Sequence, residues 1–266
     1  MTIRVCLAGA TGWAGSALSR GIFAAPDMEL VAGISRSQAG KVLGDVLGIE
    51  GLAARIFATM DAGMESKPDV VVEYTKPDVA KTNIVSALRG GAHVVVGTSG
   101  LSEADYREID GVAQEVKRGV LAVGNFALTA VLLQKFAEIA ARYIPHWEII
   151  DYAHAGKVDV PSGTARELAE RLSRVRESQL DVPLEMMQGP KESRGVRLNG
   201  SQVHSVRLPG YVISVDAIFG MPDQKLVIRH ESGTSAEPYV SGALLAIRKV
   251  SGLVGVHRGL DRVMEF

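Results

Sequence analysis

The residues that most constrain the fold stand at the very beginning. Ile3-Arg4-Val5-Cys6-Leu7-Ala8 is a short apolar run, Gly9-Ala10-Thr11-Gly12-Trp13-Ala14-Gly15 follows it, and from Ser16 onward the apolar positions recur at helical spacing. Strand, glycine loop and helix in that order make a unit able to cradle a nucleotide pyrophosphate. The phosphates need backbone N–H groups at close range and the positive end of a helix, and only residues without a Cβ permit that approach. Gly9, Gly12 and Gly15 supply it, with Thr11 and Trp13 in the same turn. The Gly-x-x-Gly-x-x-Gly spacing departs from the commonest dinucleotide fingerprint at its first gap, so the position at the opening of a strand–helix unit carries the assignment.

Glu29-Leu30-Val31-Ala32-Gly33-Ile34 reads as a second strand. At its tip a dinucleotide fold presents an acid to the adenosine ribose or a cation to a 2′-phosphate. Here Ser35, Arg36 and Ser37 follow, with no carboxylate, which predicts NADPH as the preferred cofactor and NADH as a weaker one. Residues 38–58 are glycine-punctuated and read as a loop with a marginal helix or short strand. Residues 70–74, 93–97 and 120–123 read as further strands. Helices are predicted from about 78 to 89 and from Ser102, where Ser-x-x-Asp with Asp105 is a box-like start. This alternation predicts an α/β fold with a parallel, doubly wound sheet and a ligand outside the carboxyl ends of its strands. Tyr74-Thr75-Lys76-Pro77, Gly97-Thr98-Ser99-Gly100 and Gly124-Asn125-Phe126 all fall at such ends, whereas His93 precedes its strand and reads as structural.

The second half has a different pattern. Residues 128–143 form one amphipathic helix, and Trp147-Glu148-Ile149-Ile150-Asp151-Tyr152 is a strand leading into the densest cluster of site-type residues, which runs from His154 through Lys157 to Pro161-Ser162-Gly163-Thr164. Pro161 should stand near the first turn of a helix. Ser162, Gly163 and Thr164 then offer free N–H groups, two hydroxyls and the positive end of the helix dipole. Lys157 adds a fixed charge and His154 a group that can give or take a proton. A carboxylate or phosphate suits that corner. The alternative is a capped helix after a polar loop. Residues 178–200, with Pro183, Pro190 and Lys191-Glu192-Ser193-Arg194, read as an exposed loop or flap whose charges are solvated. Three strands over 202–207, 212–219 and 225–230 and a helix over 239–250 make this half α+β, with an antiparallel or mixed sheet.

Composition narrows the ligand. With 266 residues, 47% of them hydrophobic, there is room for two modest domains with real cores. A formal charge of −1 argues against nucleic acid and membrane surfaces, so small ligands are expected. Cys6 is the only cysteine, which excludes a disulfide framework and suits a reducing compartment, the cytoplasm by default. The six histidines show no ligand spacing with acids or cysteine, so no metal is expected. No apolar run approaches the roughly 20 residues of a membrane span, and a soluble, unprocessed protein is expected.

Taken together, the motifs resemble the 4-hydroxy-tetrahydrodipicolinate reductase family, pyridine-nucleotide enzymes of lysine and diaminopimelate biosynthesis. The matching pieces are the glycine loop, Glu73-Tyr74-Thr75-Lys76-Pro77, Val96-Gly97-Thr98-Ser99-Gly100, Gly124-Asn125-Phe126, Lys157-Val158-Asp159-Val160-Pro161-Ser162-Gly163-Thr164 and His204-Ser205-Val206-Arg207. The resemblance implies a Rossmann-type domain over 1–126 and 240–266, and an α+β substrate and oligomerisation domain over 127–239 whose mixed open sheet builds a homotetramer. It implies a cofactor along Gly9, Thr11, Gly12, Trp13, Gly15, Ser35, Arg36, Tyr74, Lys76, Gly97, Thr98, Gly124, Asn125 and Phe126. Substrate carboxylates would meet His154, Lys157, Ser162, Gly163 and Thr164, and His154 and Lys157 are the catalytic candidates. Family members reduce a cyclic unsaturated dicarboxylate by hydride from the nicotinamide, with a proton delivered to the adjacent carbon.

One position departs from that pattern. The family has two adjacent histidines before the lysine, the first being the proposed proton donor, and here its place is taken by Ala153. Loss of a positioned acid is worth roughly 10²–10⁴-fold. Protonation then falls to His154 or Lys157, or to Tyr152 or His204 reaching in, or the substrate is another, more readily protonated imine. An imine reductase or reductive aminase and a non-catalytic NADPH-binding regulator are the rival readings. Residues 231–238 also fit the family pattern poorly.

Overall fold

The computed structural model describes residues 2–266. Strand and helix alternate through the first half as β1 (Ile3–Ala8), α1 (Trp13–Ala24), β2 (Met28–Ile34), α2 (Leu43–Leu47), β3 (Arg55–Phe57), α3 (Met60–Met64), β4 (Val70–Glu73), α4 (Pro77–Arg89), β5 (His93–Val96), α5 (Glu103–Glu115) and β6 (Gly119–Ala122). They are followed by α6 (Leu128–Tyr143), β7 (His146–Ala153), α7 (Gly163–Ser173), β8 (Val196–Leu198), β9 (Ser201–Arg207), β10 (Ile213–Met221), β11 (Gln224–Ser232), α8 (Val240–Lys249) and β12 (Gly255–Arg258). The chain divides into two compact units, one running to Leu128 and resuming over Ala236–Phe266, the other Thr129–Ser235.

In the first unit the strands lie in the order β12-β6-β5-β4-β1-β2-β3, and every neighbouring pair is parallel. A parallel sheet is covered on both faces, so a central strand such as β4 reads as an unbroken apolar run, and Val70, Val71 and Val72 are all buried. One face packs Cys6, Ile34, Val71 and Val94 against Ile84 and Leu88 of α4 and Ile109 of α5. Pro77 opens α4 at a position where its missing N–H leaves no bond unmade. The predicted start of α5 is present as a reciprocal box, with Asp105 N–H donating to Ser102 Oγ at 3.2 Å and Ser102 N–H to Asp105 Oδ2 at 2.9 Å. His93 is structural: its Nδ1 accepts the Gly119 N–H at 2.9 Å, joining the starts of β5 and β6.

Two strands of this sheet lie beyond what apolar periodicity shows. Residues 38–58 hold α2 and β3, and β3 forms an edge by pairing with β2. β12 was not predicted at all. Gly255-Val256-His257-Arg258 has one strongly apolar residue, and it becomes a strand because β6 offers it an edge. The last helix lies where the sequence predicts it, over Val240–Lys249, and continues as a 3₁₀ turn over Val250–Gly252.

The second unit is a mixed sheet in the order β11-β10-β7-β9-β8, in which β7 and β9 are parallel and the other pairs antiparallel. β7 alternates strictly. Trp147, Ile149, Asp151 and Ala153 are buried on one face, and His146, Glu148, Ile150 and Tyr152 are partly exposed on the other. The buried face packs on Leu133, Ala137 and Ala141 of α6 and on Leu168 and Leu172 of α7. The segment predicted as a polar loop, 178–200, contains β8 and two 3₁₀ turns. Its Arg194 is paired with Glu148, about a third of each side chain staying exposed. Pro161 stands just ahead of α7 rather than inside it, because Ser162 takes the N-cap.

Candidate active site

The glycine loop of the first unit is shaped by crowding. Gly9 has φ +80°, and a Cβ on it would stand 2.3 Å from the Tyr74 carbonyl oxygen. A Cβ on Gly15 would stand 2.0 Å from the Gly9 carbonyl oxygen. The loop therefore folds onto the first turn of α1 only because neither residue carries a side chain. Gly12 is the N-cap of α1 and makes no side-chain cap bond, so first-turn N–H groups remain open to an anion.

Beside the loop is a cavity of about 630 Å³ lined by Gly9, Thr11, Gly12, Ser35, Arg36, Tyr74 and Lys76 among others. The Thr11 and Ser35 hydroxyls are 3.1 Å apart. Arg36 stands in a 3₁₀ turn at the tip of β2 and Lys76 at the N-cap of α4, so two cations share one cavity. Asp61 also lines it, and its carboxylate accepts from the Ser86 hydroxyl. The residues suit a dinucleotide: close backbone, an open helix start and two cations.

Gly97, Thr98, Asn125 and Phe126 do not line this cavity but shape its surroundings. A Cβ at Gly97 would fall 2.3 Å from the Tyr74 ring, and the Tyr74 and Phe126 ring centroids are 6.0 Å apart. Burial pushes the Tyr74 hydroxyl up to about 12. Thr98 Oγ1 accepts the Thr75 N–H at 2.9 Å, and Asn125 Oδ1 accepts the Ala127 N–H at 2.9 Å, leaving Gly124 exposed between them in sequence. Trp13 is 61% exposed and meets Tyr239 edge-on at 5.9 Å.

Sequence reasoning assigned no role to Glu73, which is fully buried beneath this corner. Its carboxylate accepts from the Thr75 N–H and the Asn83 amide at 2.9 Å, and from the Thr75 hydroxyl. Burial raises its pKa, against the pull of those hydrogen bonds. An acid closing an otherwise all-valine strand was the available signal.

In the second unit the residues from His154 to Thr164 lead from the end of β7 to the start of α7. Ser162 Oγ accepts the Ala165 N–H at 3.3 Å, and the Ser162 N–H donates to Asp151 Oδ2 at 2.8 Å. The N–H groups of Gly163 and Thr164, the first two of α7, have no partner among the described residues. Lys157 Nζ lies 2.7 Å from Asp159 Oδ1, and that contact holds the Asp159 carboxyl below its ordinary range. Arg166 donates to the Pro161 carbonyl and stands 4.0 Å from Asp159. His154 is exposed, its backbone N–H donating to the Val212 carbonyl.

Ala153 is fully buried on the helix-facing side of β7 and offers no functional group. Tyr152 points to the other face, where its hydroxyl donates to Asp216 Oδ2 at 3.3 Å, its ring stacks on Tyr211, and Arg229 covers it. His204 is engaged with Glu148 at 2.7 Å, a contact that with Arg194 holds the Glu148 carboxyl down to about 2. Both side chains are engaged on the open face of the sheet, opposite Ala153, whereas His154 and Lys157 lie on the segment that leads to α7. Among the described residues there is no cluster of His, Cys, Asp or Glu able to hold a metal, and no helix is long and apolar enough to cross a membrane.

Comparison with known proteins gives concordant results. The models "Dihydrodipicolinate reductase, N-terminus" and "Dihydrodipicolinate reductase, C-terminus" match residues 3–126 and 129–263. The 4-hydroxy-tetrahydrodipicolinate reductase of Desulfitobacterium hafniense is 38% identical over 265 residues, 99% of each chain. That of Bacillus pumilus is 37% identical over 99% of this chain and 98% of its own. The dipicolinate-bound dihydrodipicolinate reductase from Paenisporosarcina superposes with a TM-score of 0.89 at 30% identity, over 99% of this chain and 100% of that one. An amine dehydrogenase from Mycobacterium smegmatis, at 14% identity and a TM-score of 0.69, shares the fold.

Proposed function

The chain belongs to the dihydrodipicolinate reductase family, and on that premise we propose that it reduces 4-hydroxy-tetrahydrodipicolinate to tetrahydrodipicolinate, with NADPH preferred over NADH. The observation that carries this reading is the start of α7, where two free N–H groups and the Lys157 ammonium can take a carboxylate together. The cofactor, when bound, supplies the hydride. The Gly9 and Gly12 N–H groups donate to the Ile34 and Gly9 carbonyls, so the first turn of α1, brought close by Gly9 and Gly15, gives the cofactor phosphates backbone N–H groups; Arg36 and Lys76 favour a 2′-phosphate, and Tyr74 with Phe126 makes an apolar wall.

On the substrate, Gly163, Thr164 and Lys157 hold one carboxylate and His154 meets the other. Lys157 is the assigned proton donor to the atom beside the one that is reduced. Asp159 keeps its ammonium in place, and its side chain is only 21% exposed, whereas His154 is exposed. The open face of the β7–β11 sheet, with Val227 exposed on it, is assigned as the homotetramer surface, and the lone buried Cys6 suits the cytoplasm.

A steady-state assay with enzymatically generated 4-hydroxy-tetrahydrodipicolinate tests the function. NADPH oxidation is the expected result, with kcat/KM about 10²–10⁴-fold lower in Lys157→Ala. No oxidation at high enzyme concentration sinks the named substrate. Ala153 favours one second reading, an imine reductase or reductive aminase for an imine that is protonated more readily. A panel of cyclic imines and keto-acid plus amine pairs separates the two.

A further inference from the structure

The loop that carries His154 and Lys157 to the start of α7 is tied at two points to one buried ion pair. Asp151, on β7, has no exposed surface, and Arg207 reaches it from the end of β9, the parallel neighbour, with its side chain 14% exposed. A single carboxylate oxygen, Asp151 Oδ2, accepts from the Ser162 N–H at 2.8 Å, the Ser205 hydroxyl at 3.2 Å and Arg207 Nη2 at 2.8 Å. The same Nη2 donates to the Asp159 carbonyl at 2.8 Å. Asp151 Oδ1 and Arg207 Nε are both buried with no hydrogen-bond partner among the described residues.

That arrangement is a poor one for stability alone. Two parallel hydrogen bonds between guanidinium and carboxylate are the strong form of such a pair, and here that form is given up. Burying two charges is also often no better than burying apolar groups of the same volume. What the geometry gains is position. Asp151 takes the Ser162 N–H and so fixes the N-cap, leaving the N–H groups of Gly163 and Thr164 free. Arg207 fixes the backbone of Asp159, whose side chain grips Lys157 Nζ.

We propose that the Asp151–Arg207 pair is the positioning element of the substrate cradle. It sets where the α7 N–H groups stand relative to the Lys157 ammonium, and it touches no substrate itself. With Ala153 offering no acid, the placement of Lys157 governs both carboxylate binding and proton delivery. This rests on the reading of the cradle as the substrate-carboxylate site.

Asp151→Leu combined with Arg207→Met, in the full chain, removes both charges so that neither is left buried alone. The melting temperature and the NADPH dissociation constant hold, while kcat/KM for 4-hydroxy-tetrahydrodipicolinate falls about 100-fold. Inhibition by dipicolinate, used as a non-reacting dicarboxylate, weakens in parallel. Arg207→Lys keeps the charge opposite Asp151 but cannot span both Asp151 and Asp159. It shows the same loss at an unchanged melting temperature, and it decides alone if the double variant does not fold. Wild-type kcat/KM and dipicolinate inhibition in either folded variant overturn the proposal and leave the substrate reading standing. A wild-type protein inert to both substrate and dipicolinate defeats that reading, and the proposal with it.

Discussion

At the glycine loop backbone is left bare because side chains are missing, whereas at the start of α7 it is left bare because buried side chains hold the helix end in place. Gly12 caps α1 with nothing, and the loop is shaped by how closely Gly9 and Gly15 approach their neighbours. Ser162 caps α7 with its own hydroxyl, and its N–H is claimed by Asp151. Both solutions leave first-turn N–H groups for a ligand. They fail differently: the first is intolerant of added atoms, the second of removed ones.

The sharpest way to break that contrast is to add one methyl group to each corner. Gly15→Ala puts a Cβ 2.0 Å from the Gly9 carbonyl oxygen, and backbone cannot step aside as a flexible side chain can. A destabilisation of roughly 3 kcal/mol and loss of NADPH binding are expected. Gly163→Ala places its Cβ 4.0 Å from the nearest atom, the end of the Arg166 side chain, and changes stability by no more than about 0.5 kcal/mol. Paired denaturant titrations read both. Equal losses would mean that the two helix ends are built alike.

Next in size is Arg36→Ala. One or two charge-assisted hydrogen bonds to a 2′-phosphate are worth about 10-fold to 100-fold in affinity. Side-by-side titrations should show that loss for NADPH with NADH unchanged. An undiminished NADPH preference would move the specificity to Lys76, on the opposite helix start.

These two corners also differ in how far a sequence shows them. The glycine loop is largely local: seven consecutive residues hold most of the close approaches that shape it, and from outside come the Tyr74 and Ile34 carbonyls and the Ser35 and Ser19 hydroxyls. The parallel sheet was legible for the same reason, since β1, β2, β4, β5 and β6 are apolar runs that need no partner to be recognised. β12 was not, because Gly255–Arg258 is strongly apolar at one position only and is stabilised by the edge it joins, and β3 was legible only as the marginal helix or short strand read over 38–58. In the cradle, Lys157 and Ser162 to Thr164 could be read directly, but what holds them could not. Arg207 lies 56 residues from Asp151, and the two meet only because β9 runs parallel to β7. Tyr152 and His204 remained candidate donors until strand alternation put both on the open face, opposite Ala153.

A smaller effect probes the cap itself. Ser162→Ala removes the hydroxyl that accepts the Ala165 N–H and should cost about 1 kcal/mol. Gly12→Ser at the other helix start adds a hydroxyl where none is needed, and a gain in stability there with weaker NADPH binding would show that the empty cap is kept for the ligand. Melting curves with and without NADPH separate the two variants.

The last contrast lies between two acids shifted in opposite directions. Burial raises the Glu73 carboxyl, so the stability linked to it is full below its ordinary value of 4.5 and is lost as pH rises through its folded value. The His204 and Arg194 contacts lower Glu148 to about 2, so its contribution is full above 4.5 and is lost as pH falls toward about 2. Glutamine keeps an acceptor oxygen at either site and removes the charge. Glu73→Gln should therefore gain on the wild type as pH rises from acid to neutral. Glu148→Gln should lose to it over the same range, by less than about 1 kcal/mol, because the pair is a third exposed and screened by solvent. Urea titrations at a series of pH values give both slopes. If the two differences run in the same direction, burial is not what shifts Glu73, and the hydrogen bonds from Thr75 and Asn83 dominate there as His204 and Arg194 do at Glu148.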